Sequence, residues 1–217
     1  MKAKFCLAAG AAIALVMGAA SPAAAQIAPG RSGRSTQTYL SGQEVWRELA
    51  AFGKCYARRN TEEALRLVAT RPSSREEIET YKDLFRRQNQ GCLGSITELR
   101  APPGLIRGAI AEGLYAEGIP LPPAMAEPAP APGEIRNLSD AARCYVEAHG
   151  AEARELIAAT SPGTEEEKAA VLQLLPHFVK CVPDGVRPKF SAMQIRFRIA
   201  EALWRAGGVP VATAGSD

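Results

Sequence analysis

Histidine and aromatic side chains are scarce in this 217-residue chain: it holds two histidines, and Phe, Trp and Tyr together make up 6%. None of the patterns H-E-x-x-H, G-x-S-x-G or G-x-x-x-x-G-K-S/T occurs, which removes the signatures of zinc proteases, α/β-hydrolases and P-loop nucleotide hydrolases. No Cys-x-x-Cys pair is present to tune a redox thiolate. Charge of one sign is also lacking. A net charge of +3 from 26 basic and 23 acidic residues gives no concentrated basic stripe and argues against nucleic acid. Strand-like alternation is absent, and only one long apolar run exists, at the N-terminus. What remains, 47% hydrophobic and 23% charged, is the composition of an ordinary water-soluble protein.

The apolar run, Phe5 to Ala20, follows Lys2 and Lys4 and is broken by Ser21-Pro22. Ala23-Ala24-Ala25 then offers the small residues that a signal peptidase reads, so residues 1–25 are expected to be a secretory signal cut before Gln26. The run is short of the roughly 20 apolar residues of a membrane span. Cys6 lies at its start, not after it as in a lipoprotein signal. A periplasmic or secreted product without an integral span follows. Losing Lys2 and Lys4 leaves 24 bases against 23 acids, too even a balance for long-range steering.

Sliding the chain by 89 residues aligns two segments without a gap. Cys55-Tyr56 falls on Cys144-Tyr145, Glu63-Ala64 on Glu152-Ala153, Glu76-Glu77 on Glu165-Glu166, and Cys92 on Cys181. Ile106-Arg107 meets Ile195-Arg196, and Ile110-Ala111-Glu112-Gly113-Leu114-Tyr115 meets Ile199-Ala200-Glu201-Ala202-Leu203-Trp204. Between them, residues 119–137 are dense in proline and read as a semi-rigid spacer. The expected organisation is signal peptide 1–25, flexible arm 26–40, module 41–118, linker 119–137, module 138–207 and flexible tail 208–217. Each module reads as four helices. Ser41 with Glu44, Thr61, Ser74 with Glu77, and Pro102-Pro103 open those of the first; Thr164 with Glu167 and Ser191 open helices of the second. Pro176 should bend its helix. The fold class is therefore all-α, two tandem homologous modules.

Without Cys6, four cysteines remain, and three pairings are open. A duplicated unit that once stood alone had only its own two, which selects Cys55–Cys92 and Cys144–Cys181. Such bridges matter because about seventy residues make a marginal core. The rival is a zinc set of Cys144, His149, His177 and Cys181. The first copy, however, has Asn60 and Gln88 in place of the histidines, and an oxidising compartment favours disulfides. No metal and no cofactor is expected.

The paired acids Glu62-Glu63, Glu76-Glu77 and Glu165-Glu166-Glu167 invite a two-carboxylate glycosidase reading. Each cluster falls in a first helical turn, where negative charge complements the helix dipole, and capping accounts for them. Arg107 and Arg196 are the candidate partner contacts, able to grip a carboxylate or phosphate. Their competing role, bridging to Glu76/Glu77 and Glu165/Glu166, is the commoner one. Tyr56, Tyr115, Tyr145 and Trp204 sit at core spacings.

The Cys-led helix, Thr/Ser-Glu-Glu cap, second Cys and Ile-Arg-x-x-Ile-Ala-Glu-x-Leu-Tyr ending resemble a group of exported bacterial proteins. The pattern covers Leu49 to Gly118 and again Leu138 to Gly207. The resemblance implies no particular activity and no catalytic residue. The expectation is a non-enzymatic envelope protein that binds or scaffolds a partner, a protein by preference. A carrier of a small apolar ligand is the alternative, and a hydrolase with an unfamiliar site ranks last.

Overall fold

The structure, a computed structural model, describes residues 26–29, 42–86, 91–93, 96–125, 129–183 and 190–207. The expected signal peptide, Ser41, Gln88, the tail from residue 208 and all but the first four residues of the arm lie outside these.

The body is all-helical, with seven α-helices: α1 Gly42–Arg59, α2 Thr61–Ala69, α3 Arg75–Arg86, α4 Pro103–Ala116, α5 Leu138–Ala159, α6 Glu165–Phe178 and α7 Ala192–Arg205. Beside it lies a short antiparallel ribbon, β1 Gln26–Pro29 with β2 Ile96–Arg100, which the absence of strand-like alternation did not announce. The spacer after α4 forms two single 3-10 turns, Pro123–Met125 and Pro132–Glu134, where proline density suggested extended chain only.

Helix starts follow local chemistry. Ser74 Oγ accepts from the Glu77 amide at 3.0 Å, and Thr164 Oγ1 accepts from the Glu167 amide at 3.2 Å. Ser191 and Gln194 cap α7 reciprocally, and α4 begins at Pro103. Thr61 does not cap: it is the first residue of α2, and its hydroxyl donates back to the Ala57 carbonyl at 2.8 Å. Helix α6 passes through Pro176 and tightens into a 3-10 turn at Val179–Cys181.

Eight helices were expected; among the described residues there are seven, because α5 runs as two helical segments across a kink at His149. His149 has φ −133° and ψ 37°, close to Asn60 (φ −131°, ψ 47°), the residue separating α1 from α2. The gapless spacing of 89 also needs correction. Cys55/Cys144 and Cys92/Cys181 keep it, but Ser74 and Thr164 play one role at a spacing of 90, as do Glu77 and Glu167. Glu167, not Glu166, thus occupies the place of Glu77.

Helix α4 is central. It packs against α1, α2 and α7, while α7 packs against α5 and α6. Close approach of α1 to α4 depends on missing side chains. A Cβ on Gly53 would collide with the Ala109 carbonyl, and one on Gly113 would lie 2.5 Å from the Gly53 oxygen. Across α4 and α7, Gly108 makes room for Phe197, whose Cβ would sit 2.5 Å from an added methyl. The core is continuous through this junction, from Leu49, Phe52 and Leu67 to Tyr145, Phe178 and Phe197. Tyr56, Tyr115, Tyr145 and Trp204 are buried in it, as their spacing predicted. The Trp204 indole N–H donates to the Ile119 carbonyl, tying the spacer to α7.

Disulfides join Cys55 to Cys92 and Cys144 to Cys181, each across 37 residues. Two such bonds indicate a non-cytoplasmic, oxidising environment. Among the described residues no helix is long and apolar enough to cross a membrane.

Candidate functional site

The two arginines singled out in the sequence are not surface groups. Arg107 is 0% and Arg196 1% exposed. Arg107 Nε donates to Glu201 at 2.8 Å; Nη1 donates to the Leu67 carbonyl, Thr70 Oγ1 and Glu77; Nη2 donates to the carbonyls of Val68 and Thr70. It thereby caps the C-terminal end of α2, supplying donors to the Val68 and Thr70 carbonyls and a further one to Leu67, which already accepts from the Thr70 amide. Arg196 holds Glu112 through Nε at 3.1 Å and Nη2 at 2.8 Å, and Nη1 donates to Thr160 Oγ1. The expected role as partner contacts is corrected: every nitrogen of both groups is spent inside the protein. Sequence reasoning foresaw the bond from Arg107 to Glu77. It missed the exchange across α4 and α7, in which each arginine takes the glutamate of the other helix.

Glu201 is the hub of the α7 side. Burial alone would raise its pKa, but Arg107, Arg198 and Arg205 hold it down at about 2, so it stays ionised. Arg198 Nη1 donates to Glu201 Oε2 at 3.1 Å, and Arg205 Nε donates to Oε1 at 3.3 Å while its Nη2 reaches the Val68 carbonyl.

Outward from this hub opens a cleft of about 580 Å³, within the range of small-ligand sites. Three separate pieces of chain wall it: the α2–α3 connection (Ala69 to Pro72), the start of α5 (Arg136 to Arg143) and the face of α7 that carries Arg198 and Arg205. Five arginines line it, namely Arg71, Arg136, Arg143, Arg198 and Arg205, against two carboxylates, Asp140 and Glu201. Glu201 and Asp140 are both engaged: Asp140 accepts from the Arg136 amide at 3.0 Å. Arg71 and Arg136 are exposed, and among the described residues their guanidinium groups have no hydrogen-bond or ion-pair partner. The N-terminus of α5, capped by Asn137 Oδ1 on the Asp140 amide, adds positive potential from the helix dipole. The lining thus combines guanidinium groups fixed by Glu201, those of Arg198 and Arg205, with the uncommitted ones of Arg71 and Arg136, a chemistry that suits an oxyanion.

The sequence flagged Glu62-Glu63, Glu76 and Glu165-Glu166 as first-turn acids, and they lie there, exposed or half-buried. The cysteines are bonded to each other, so the suggested zinc set of Cys144, His149, His177 and Cys181 lacks its thiolates. Its two histidines instead touch edge-on, with ring centres 4.7 Å apart. Among the described residues no group of three or more His, Cys, Asp or Glu is arranged to hold a metal ion. Glu152 accepts from the Tyr145 hydroxyl at 3.2 Å and lies 3.4 Å from His149 Nδ1.

No protein family matches this chain, and no curated protein or solved structure matches it either.

Proposed function

We propose that this chain is an exported, non-enzymatic binding protein, built from two copies of one helical unit, that captures an anionic partner in the cleft between α2, α5 and α7. The observation that carries the reading is the pair of uncommitted guanidinium groups, Arg71 and Arg136, facing three more arginines across one recess. Opposite charge in a recess attracts and orients an oxyanion, and arginine binds such groups through two parallel N–H donors. The near-neutral charge of the rest of the chain makes this local excess the distinctive electrostatic feature.

The two-copy reading is supported by the like backbone at Asn60 and His149, the equal disulfide spans, and the exchanged Arg–Glu pairs. Export to the periplasm or beyond is supported by the N-terminal signal pattern together with the two disulfides. A cut before Gln26 would leave ribbon strand β1 whole, since it begins at that residue.

Isothermal titration of the mature chain with anions of graded charge tests this: acetate, citrate, inorganic phosphate and pyrophosphate. The multivalent anions are expected to bind, more weakly as salt rises. Reversing charge with Arg71→Glu and Arg136→Glu should abolish binding. If no anion of any class binds the oxidised wild-type chain, the reading fails.

A further inference from the structure

We infer that the natural occupant of the cleft presents a terminal phosphate group, a phosphomonoester or diphosphate with two or three negative charges. This rests on the anion-binding reading above. Three features favour phosphate over carboxylate.

Charge is the first. Five arginines against Asp140 and Glu201 leave the lining three positive charges in excess. A single carboxylate neutralises one of them. A phosphomonoester carries about −1.5 to −2 at neutral pH, and a diphosphate more. Direction is the second. The donors converge from three segments: Arg71 from the α2–α3 connection, Arg136 and Arg143 from the start of α5, Arg198 and Arg205 from α7. A carboxylate offers two oxygens in one plane, whereas a terminal phosphate offers three spread around a tetrahedron and can accept from every wall at once. The third is the start of α5, a 22-residue helix whose first residues, with Ser139 among them, line the cleft. A helix N-terminus combines a positive dipole end with outward N–H groups, the arrangement that suits phosphate.

The back of the cleft is already rigid. Glu201 anchors Arg198 and Arg205 from one side while Arg107 holds Glu201 from the other. Little side-chain entropy is left to lose at these two groups when a phosphate arrives. Arg71 and Arg136 then close on it from the rim.

Titration calorimetry on the mature, oxidised chain tests the inference with four probes: glycerol phosphate, pyrophosphate, citrate, and phosphatidylcholine vesicles doped with phosphatidic acid. Pyrophosphate and glycerol phosphate are expected to bind about tenfold or more tightly than citrate. Affinity for glycerol phosphate should rise as pH passes upward through about 6, where its second proton leaves. Vesicle binding together with binding of the free esters supports a lipid headgroup as the source of the phosphate. Binding of the free esters alone supports a soluble one.

Arg71→Ala with Arg136→Ala should weaken phosphate binding about tenfold or more and leave the melting temperature of the unliganded chain unchanged. Ser139→Asp, an acid in a first helical turn that the helix tolerates, should do the same by repulsion. Arg47→Ala, on α1 away from the cleft, should change nothing. Citrate binding as well as or better than the phosphates overturns the phosphate assignment and leaves anion capture standing. No binding of any probe overturns both, and full phosphate affinity in Arg71→Ala/Arg136→Ala and Ser139→Asp overturns the location.

Discussion

Arg107 and Arg196 stand 89 residues apart on helices of similar sequence, yet their charges are compensated to different degrees. Arg107 meets Glu77 at 3.3 Å and Glu201 at 2.8 Å, and both glutamate side chains are 4% exposed. Arg196 meets Glu112 at 2.8 Å, whose side chain is 12% exposed, and lies 3.8 Å from Glu167, too far for a hydrogen bond. Glu167 Oε1 accordingly has no hydrogen-bond partner among the described residues. The surfaces around the two ions differ likewise. The residues 89 positions before Arg198 and Arg205 are Ala109 and Ala116. Ala109 is pinned beneath α1 at Gly53 and has no room for a longer side chain. At that end Gly163 lies against the Gln43 backbone and Trp46 Cβ, closing the place where the other end is open. The end at α1 and α4 is therefore closed, while the end at α5 and α7 opens as the cationic cleft.

The largest test of this contrast removes each arginine in turn. Arg107→Met leaves the buried Glu77 without its cation, takes one of three arginines from Glu201 and removes the donor to the Leu67, Val68 and Thr70 carbonyls; it should cost about 3–5 kcal/mol of stability. Arg196→Met should cost less, about 2–3 kcal/mol, because Glu112 reaches solvent and Glu167 can take up a proton. Urea unfolding of both variants measures the difference. Equal costs, or a larger one for Arg196→Met, would show that the unequal compensation has no energetic weight.

The disulfides offer a control in which the halves should behave alike. Both close the same span of 37 residues, so a chain-entropy account predicts equal losses of about 3–4 kcal/mol. The comparison is Cys55→Ala/Cys92→Ala against Cys144→Ala/Cys181→Ala, each measured by denaturant unfolding. A gap of more than about 1 kcal/mol would locate the extra contribution in native packing instead of the unfolded chain.

Acid separates the two buried glutamates by sign. Glu201 is held at about 2, below its ordinary value of 4.5, so its contribution is complete above that value and is lost as pH falls towards 2. The loss is on the order of 3 kcal/mol. Glu167 is shifted the opposite way: burial raises it, outweighing the Gly163 amide and Arg196. Its contribution is present below 4.5 and is lost as pH rises through its folded value. Glu201→Gln should flatten the stability profile between 4.5 and 2, and Glu167→Gln should flatten it only above 4.5. Unfolding free energies across the acid range decide; Glu167→Gln acting below 4.5 would reverse the assignment.

How much of this was legible differs between local and assembled features. Caps at Ser74, Thr164 and Ser191, the start at Pro103 and both disulfides could be read, because each depends on residues within one helical turn or on one repeated spacing. The cleft could not. Its walls come from residues 69–72, 136–143 and 198–205, and only the packing of α4 on α7 brings them together. The crossed pairs leave a trace in the sequence: each arginine precedes a glutamate by five residues, Arg107 with Glu112 and Arg196 with Glu201, in runs that are apolar or small apart from Arg198. Five residues is too wide for a bond within one helix turn, and a charge in such a run needs a partner from elsewhere. The one-residue slip at Glu167 was hidden because an insertion before Gly163 is cancelled before Cys181, so both ends of the segment keep the spacing of 89.

The smallest expected effect lies in the turn that follows the cleft wall. Ser73 sits at φ 63° and Gly163, 90 residues on, at φ 74°; each offers its amide to the glutamate four residues later, Glu77 at 2.6 Å and Glu167 at 2.7 Å. The left-handed backbone is what aims that amide at the carboxylate, and glycine holds it at less cost than serine. Ser73→Gly should therefore stabilise the chain by up to about 1 kcal/mol, partly offset by the greater freedom glycine gives the unfolded state. Gly163→Ala should do the opposite and by more, about 1–3 kcal/mol, since its Cβ would also lie 2.7 Å from the Gln43 oxygen. Thermal melts of the two variants check the signs. Ser73 is followed by the capping Ser74 and preceded by Arg71-Pro72 on the cleft wall, so the same substitution reports on binding. If anion affinity falls while stability rises, the strained serine is holding Arg71 in place, and if affinity is unchanged, the strain is confined to the turn.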